Sequence, residues 1–226
     1  MSKRLATILL LLAAVIAAIS IARKRCDATP PLCEIPAGIA RLGSREPGAL
    51  PPHETNFLAF RIGEREITCG EFAKFRNEEP WRSAPPCRPA AHVSPDDALA
   101  YCGWLGRKIR ARVRLPTEDE WEFAARGGIR GAPFPWGWDA PDGRANFGGR
   151  SAKSVGSFRA NPFGLFDVAG NVAEWCQPAS PTAATVIARG GSFADRDPGR
   201  INVFSRAEFS RTYRDADVGF RILVEK

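Results

Sequence analysis

Histidine, methionine and tyrosine are scarce in this chain: 226 residues hold two histidines, one methionine and two tyrosines. With only His53 and His92 available, a catalytic zinc held by three imidazoles cannot be assembled. The six cysteines show no CxxC spacing, and none follows Cys176. Acidic residues are missing from positions 1–25, where Lys3, Arg4, Arg23, Lys24 and Arg25 all sit. That absence locates the net charge of +7. Outside the first 25 residues, 27 basic residues face 25 acidic ones, a balance of +2. The basic pI of about 9.4 is therefore a property of the N-terminus, and no nucleic-acid partner is expected.

What is present fits one folded domain. At 44% hydrophobic and 25% charged, the chain can bury a core and is not disordered by composition. Glycine, proline and tryptophan number 21, 19 and 6, which points to a loop-rich fold rather than a helical bundle.

Leu5–Ala22 is an apolar run behind Lys3 and Arg4. It is long for a signal-peptide core and short for a comfortable membrane span. Ser20-Ile21-Ala22 suits cleavage, whereas Arg23-Lys24-Arg25 resists translocation, so residues 1–25 are expected as a signal peptide or a signal anchor. An even cysteine count behind an export signal favours disulfides and an oxidising compartment. Proximity suggests Cys26–Cys33 and Cys69–Cys87 as pairs. The expected location is the periplasmic side of the inner membrane, anchored there, or secreted if the leader is cleaved.

Residues 26–52, rich in Pro and Gly, read as a linker and domain entry, with the folded domain over residues 53–226. Three helix starts share a hydroxyl residue followed three positions later by an acid: Thr68/Glu71, Ser94/Asp97 and Thr117/Glu120. The second should bury Ala98, Tyr101, Cys102 and Leu105 and stop at Gly106. The third should bury Trp121, Ala124 and Ala125, turn its acids outward and end at Gly127-Gly128. Strand-like runs occur at Phe57–Ile62, Val186–Phe193, Ile201–Phe204 and Val218–Val224. The expectation is an α+β fold with two or three helices and a small antiparallel sheet.

Several segments resemble the formylglycine-generating enzymes, or sulfatase-modifying factors. They are Arg114-Leu-Pro-Thr-Glu-Asp-Glu-Trp-Glu-Phe-Ala-Ala-Arg-Gly-Gly128, Phe134-Pro-Trp-Gly137, Arg144-Ala-Asn146, Gly164-Leu-Phe-Asp-Val-Ala-Gly-Asn-Val-Ala-Glu-Trp175, Arg189-Gly-Gly-Ser-Phe193 and Val218-Gly-Phe-Arg221. They follow the family's order across residues 34–226. The resemblance implies a formylglycine-generating-enzyme-like variant of the C-type lectin fold, commonly exported and calcium-bound.

The loop Asp167–Glu174 can turn several carbonyls toward one point beside two carboxylates. Calcium accepts six to eight oxygens at about 2.3–2.6 Å. Carried over from the family, its ligands would be the Asp167 and Glu174 side chains with the carbonyls of Val168, Gly170 and Val172. The alternative is that Glu174 and Asn171 only satisfy buried backbone. A second family calcium site would use Asn146, but no acid occurs in Phe147–Lys153, so that site is not expected.

The catalytic pattern departs from the family. Its oxidases bind copper through two cysteines just after the Gly-Gly-Ser-aromatic motif, as soft Cu(I) requires. Here those positions are Asp195 and Arg200, and no copper is expected. Ser192, Asp195, Arg196 and Arg200 remain as cleft candidates. The arginines between Asp195 and Arg221 either form an anion- or peptide-binding cleft or a charge-paired surface with one or two structural members. The resemblance then implies a non-catalytic, membrane-tethered regulatory or accessory domain, a pseudoenzyme binding a periplasmic or membrane protein. The alternative is a maturation enzyme or oxidoreductase using a non-cysteine site.

Overall fold

Each hydroxyl-x-x-acid segment does start a helix, and each closes a reciprocal capping box. Thr68 caps α1 (Cys69–Phe72), Ser94 caps α2 (Pro95–Ile109) and Thr117 caps α3 (Glu118–Arg126). Each such cap contributes about 1 kcal/mol by satisfying otherwise orphaned N–H groups. These assignments come from a computed structural model, which describes residues 29–225. The expected leader, residues 1–25, lies outside the described residues. Among those described, no helix is long and apolar enough to cross a membrane.

Gly106 does not stop α2. The helix continues to Ile109 and ends at Arg110 in the left-handed conformation, φ 55°. Gly106 instead admits the returning chain, since a Cβ there would stand 2.8 Å from the Ala111 carbonyl oxygen. Helix α3 does end at Gly127, but its acids do not all face outward. Glu122 is buried and bridges Arg126 and Arg189 at 2.7 and 2.6 Å. Arg126 is the i+4 neighbour on the same helix, whereas Arg189 reaches Glu122 from a distant strand, which no local pattern shows.

The segment expected as linker contributes two strands, β1 (Leu32–Ile35) and β2 (Gly38–Leu42). β2 forms a hairpin with β3 (His53–Phe57). β1 pairs with β4 (Phe60–Gly63), which continues into the order β1-β4-β10-β5 with β5 (Val113–Arg114) and β10 (Leu223–Val224). A second sheet has the order β8-β7-β6-β9, from β6 (Ala173–Trp175), β7 (Thr185–Arg189), β8 (Arg206–Ser210) and β9 (Val218–Gly219). All pairings are antiparallel except β6 with β9.

Two expected strands change form. Phe57–Ile62 divides at an exposed Leu58 into β3 and β4. Ile201–Phe204 is buried but not a strand, because Pro198-Gly199 opens a short 3-10 turn that ends at Ile201. The run from Val218 leaves one sheet as β9 and enters the other as β10. Phe220, Arg221 and Ile222 are fully buried between them. That crossover fixes Arg221 at the centre of the molecule.

Apolar packing around α2 gathers Phe72, Trp81, Tyr101, Trp175 and Phe220, and a second cluster joins α3 to β1–β4 through Trp121, Phe123 and Ile62. Cys33, Cys69, Cys102 and Cys176 are free thiols. The pairs Cys26–Cys33 and Cys69–Cys87 are therefore not formed. Cys87 is disulfide-bonded. Proximity in sequence fails here because Cys69 sits at the start of a buried helix, with its thiol donating to the Pro89 carbonyl.

Candidate functional site

The loop after β7 carries Ser192 and Asp195 into a cavity of about 360 Å³. The Ser192 N–H and Oγ–H both donate to Asp195 Oδ2, at 2.8 and 3.1 Å. The Ala194 N–H donates back to Ser192 Oγ at 3.2 Å. These bonds close a local turn and occupy the serine proton with a neighbouring carboxylate. Neither histidine lines the cavity, so no imidazole stands ready to activate the hydroxyl. Ser192 is engaged within the turn.

Arg200 also lines this cleft and is exposed, whereas Arg196 is exposed outside it. The structure thus brings three of the four cleft candidates together. Glu208 and Asp217, which belong to the arginine-rich stretch but not to the four cleft candidates, face the same cavity from β8 and the approach to β9. Burial, with Asp215 nearby, raises the Asp217 pKa. Arg206 lines the cleft too, paired with Glu118 at 2.9 Å. Arg211 pairs with Asp96, and Arg214 lies 3.6 Å from Asp97. Most of the arginine-rich stretch is therefore a charge-paired surface around one buried structural member, Arg221.

The Asp167–Glu174 loop is arranged differently from the expected ligand set. Glu174 is buried in β6, and both its oxygens are engaged. Arg221 Nε and Nη2 donate at 2.5 and 2.6 Å, and Trp121 Nε1 donates at 2.7 Å. A bidentate guanidinium pair is the strongest arrangement available to a carboxylate. Glu174 is committed to Arg221 rather than left free to bind an ion. Val172 and Val168 are buried on this loop. The Val168 carbonyl lies against Gly190. Gly170, at φ 77°, packs so tightly that a Cβ would meet the Asn146 carbonyl at 2.4 Å.

Asp167 is the loop's other acid. Gly156 N–H donates to its Oδ2 at 2.5 Å, while Oδ1 is buried without a partner. Its pKa is pushed up to about 6, mainly by burial. Glu66, which sequence reasoning did not single out, is fully buried as well. Its Oε1 accepts from Asn171 Nδ2 at 2.8 Å, and its Oε2 has no partner. Burial, followed by repulsion from Asp167 and Glu174, raises the Glu66 pKa well above the usual carboxylate range. Three carboxylates and the Arg221 guanidinium give this cluster a formal charge of −2. Asp167 Oδ1 and Glu66 Oε2 are thus the two buried carboxylate oxygens of the cluster without a partner, the kind of donor a hard cation takes. No group of three or more His, Cys, Asp or Glu side chains is placed to hold a metal among the described residues. A calcium ion here would draw the rest of its shell from backbone carbonyls.

A family model described as the sulfatase-modifying factor enzyme 1-like domain matches residues 19–226. The chain belongs to this family. It is 36% identical over 170 residues to a formylglycine-generating enzyme of Streptomyces coelicolor, covering 60% of this chain and 52% of that protein. It is 42% identical over 132 residues to the inactive C-alpha-formylglycine-generating enzyme 2 of Mus musculus, covering 50% of this chain and 40% of that protein. The chain thus spans about half the length of the curated relatives it matches. Among solved structures, PvdO from Pseudomonas aeruginosa superposes with a TM-score of 0.79 at 26% identity, covering 88% of this chain and 97% of that one. The family's variant of the C-type lectin fold is the architecture found here.

Proposed function

We propose that this member of the sulfatase-modifying factor family is a non-catalytic binding domain. The observation that carries the reading is the Ser192–Asp195 turn. At the place where the resemblance puts a copper-binding thiol, a carboxylate is already spent on local hydrogen bonds. The remaining free thiols offer no substitute. Cys176 is fully buried, and burial raises its pKa well above that of an ordinary thiol, which suppresses the thiolate that copper needs.

In this reading the domain is exported and held at the periplasmic side of the inner membrane by its N-terminal segment, where it acts as a regulatory or accessory subunit. Its partner is a periplasmic or membrane protein that engages the cleft, with Arg200 as the exposed cation at the mouth. The relative named inactive C-alpha-formylglycine-generating enzyme 2 supports a member without the oxidase chemistry. A structural calcium at Asp167 and Glu66 belongs to the same reading. Its role is to neutralise buried acid, and no chemical step passes through it.

Oxygen uptake tests the proposal. The full chain supplied with Cu(I) and a cysteine-containing sulfatase peptide is expected to consume oxygen no faster than copper and peptide alone. Turnover above that background would overturn the non-catalytic reading and favour the alternative, an enzyme with a non-cysteine site.

A further inference from the structure

A second cavity is larger than the cleft. It measures about 730 Å³, roughly twice the cleft's 360 Å³, and shares no lining residue with it. Its volume lies within the range of small-molecule sites, about 300–1,000 Å³. Its wall comes from two irregular segments, one around Pro135–Arg144 and one around Ser157–Ala169.

The wall is chemically consistent. Trp136 presents an aromatic face whose position is fixed twice: its ring stacks on Phe134 at 5.1 Å, and its Nε1 donates to the Asp139 carbonyl at 3.0 Å. Phe158 lines the other segment, with the Lys153 ammonium 4.8 Å from its ring centre. Arg159 is exposed and has no ion pair among the described residues. Arg144 is paired only with Asp139, at 2.8 Å on the surface, a kind of contact worth about 0–1 kcal/mol and readily exchanged. Asp167 is the one acid in the wall. Its Oδ1 is buried and its Oδ2 accepts from the Gly156 N–H.

We propose that this cavity binds an organic anion with a planar apolar body, such as an aryl carboxylate or sulfonate. The two guanidinium groups supply flat donor forks that match a carboxylate or sulfonate edge. Trp136 and Phe158 supply the surfaces for the ring. The site is independent of the cleft and of whatever engages it.

Calorimetric titration of the full chain with naphthalene-2-sulfonate tests this, with naphthalene-2-methanol as the uncharged comparator. One saturable site is expected, with the uncharged compound at least tenfold weaker. Arg159→Ala should weaken the sulfonate at least tenfold, Arg144→Ala several-fold, and Asp195→Ala not at all. Both arginines are exposed, so these variants should keep the wild-type circular dichroism spectrum. Absence of saturable binding, equal affinity for the uncharged compound, or binding unchanged in the Arg144→Ala/Arg159→Ala double variant would each overturn the assignment.

Discussion

The cleft and the buried acid cluster use the same groups to opposite ends. In the cleft, Ser192 and Asp195 satisfy one another, and Arg206 is answered by Glu118. In the cluster, Glu174 is answered by Arg221, while Asp167 and Glu66 each keep an oxygen without a partner. In the cleft the local hydrogen bonds hold the turn in shape. A buried site short of positive charge is waiting for a proton or an ion. Under the proposed non-catalytic reading, this difference would let a family frame hold its fold without the family's reaction.

Breaking the answered half of the cluster should have the largest effect. Glu174→Gln removes the charge facing fully buried Arg221 and should cost about 3–5 kcal/mol in urea unfolding, with no rescue by calcium. The unanswered half should behave differently. In chelator, Asp167 has a folded pKa of about 6 against an ordinary value of 3.8. The folded state then holds a proton that the unfolded state has lost. This contribution is fully present below pH 4 and disappears as pH rises through 6, on the order of 2–3 kcal/mol. Calcium should flatten that slope by taking the proton's place. Glu66→Gln should diminish the calcium effect on thermal midpoint. A midpoint indifferent to calcium in the wild type would remove the ion from the account.

The cleft should respond more mildly. Asp195→Ala removes two hydrogen bonds at a half-buried turn and should cost about 1–2 kcal/mol. Substitution of Arg200 or Arg196 by Ala should change stability by less than about 0.5 kcal/mol. Of these two only Arg200 lines the cleft, so under the proposed function Arg200→Glu should weaken crosslinking to a membrane partner while Arg196→Glu leaves it intact.

Local chemistry made part of this legible in the sequence. The three capping boxes lie within four-residue windows, and all three appear as expected. The motif order was enough for the family fold. Long-range pairing was not readable: Glu66 and Asn171 are 105 positions apart, and Arg221 and Glu174 are 47 apart. Glu174 in particular matches a ligand motif while its partner comes from a sheet crossover that no local pattern announces. Cys69 was mispaired for the same reason, since burial at a helix start does not show in spacing. Of the cleft residues named from sequence, Ser192, Asp195 and Arg200 do line one cavity. The large cavity was not, because its wall consists of two aperiodic loops with no shared motif.

Cu(I) titration of the full chain against a chromogenic chelator tests the central claim most directly, since that claim is that the cleft has lost its metal chemistry. The wild type is expected to retain no stoichiometric Cu(I), while Asp195→Cys/Arg200→Cys gains one ion per chain. One tightly held Cu(I) on the wild type would contradict the account.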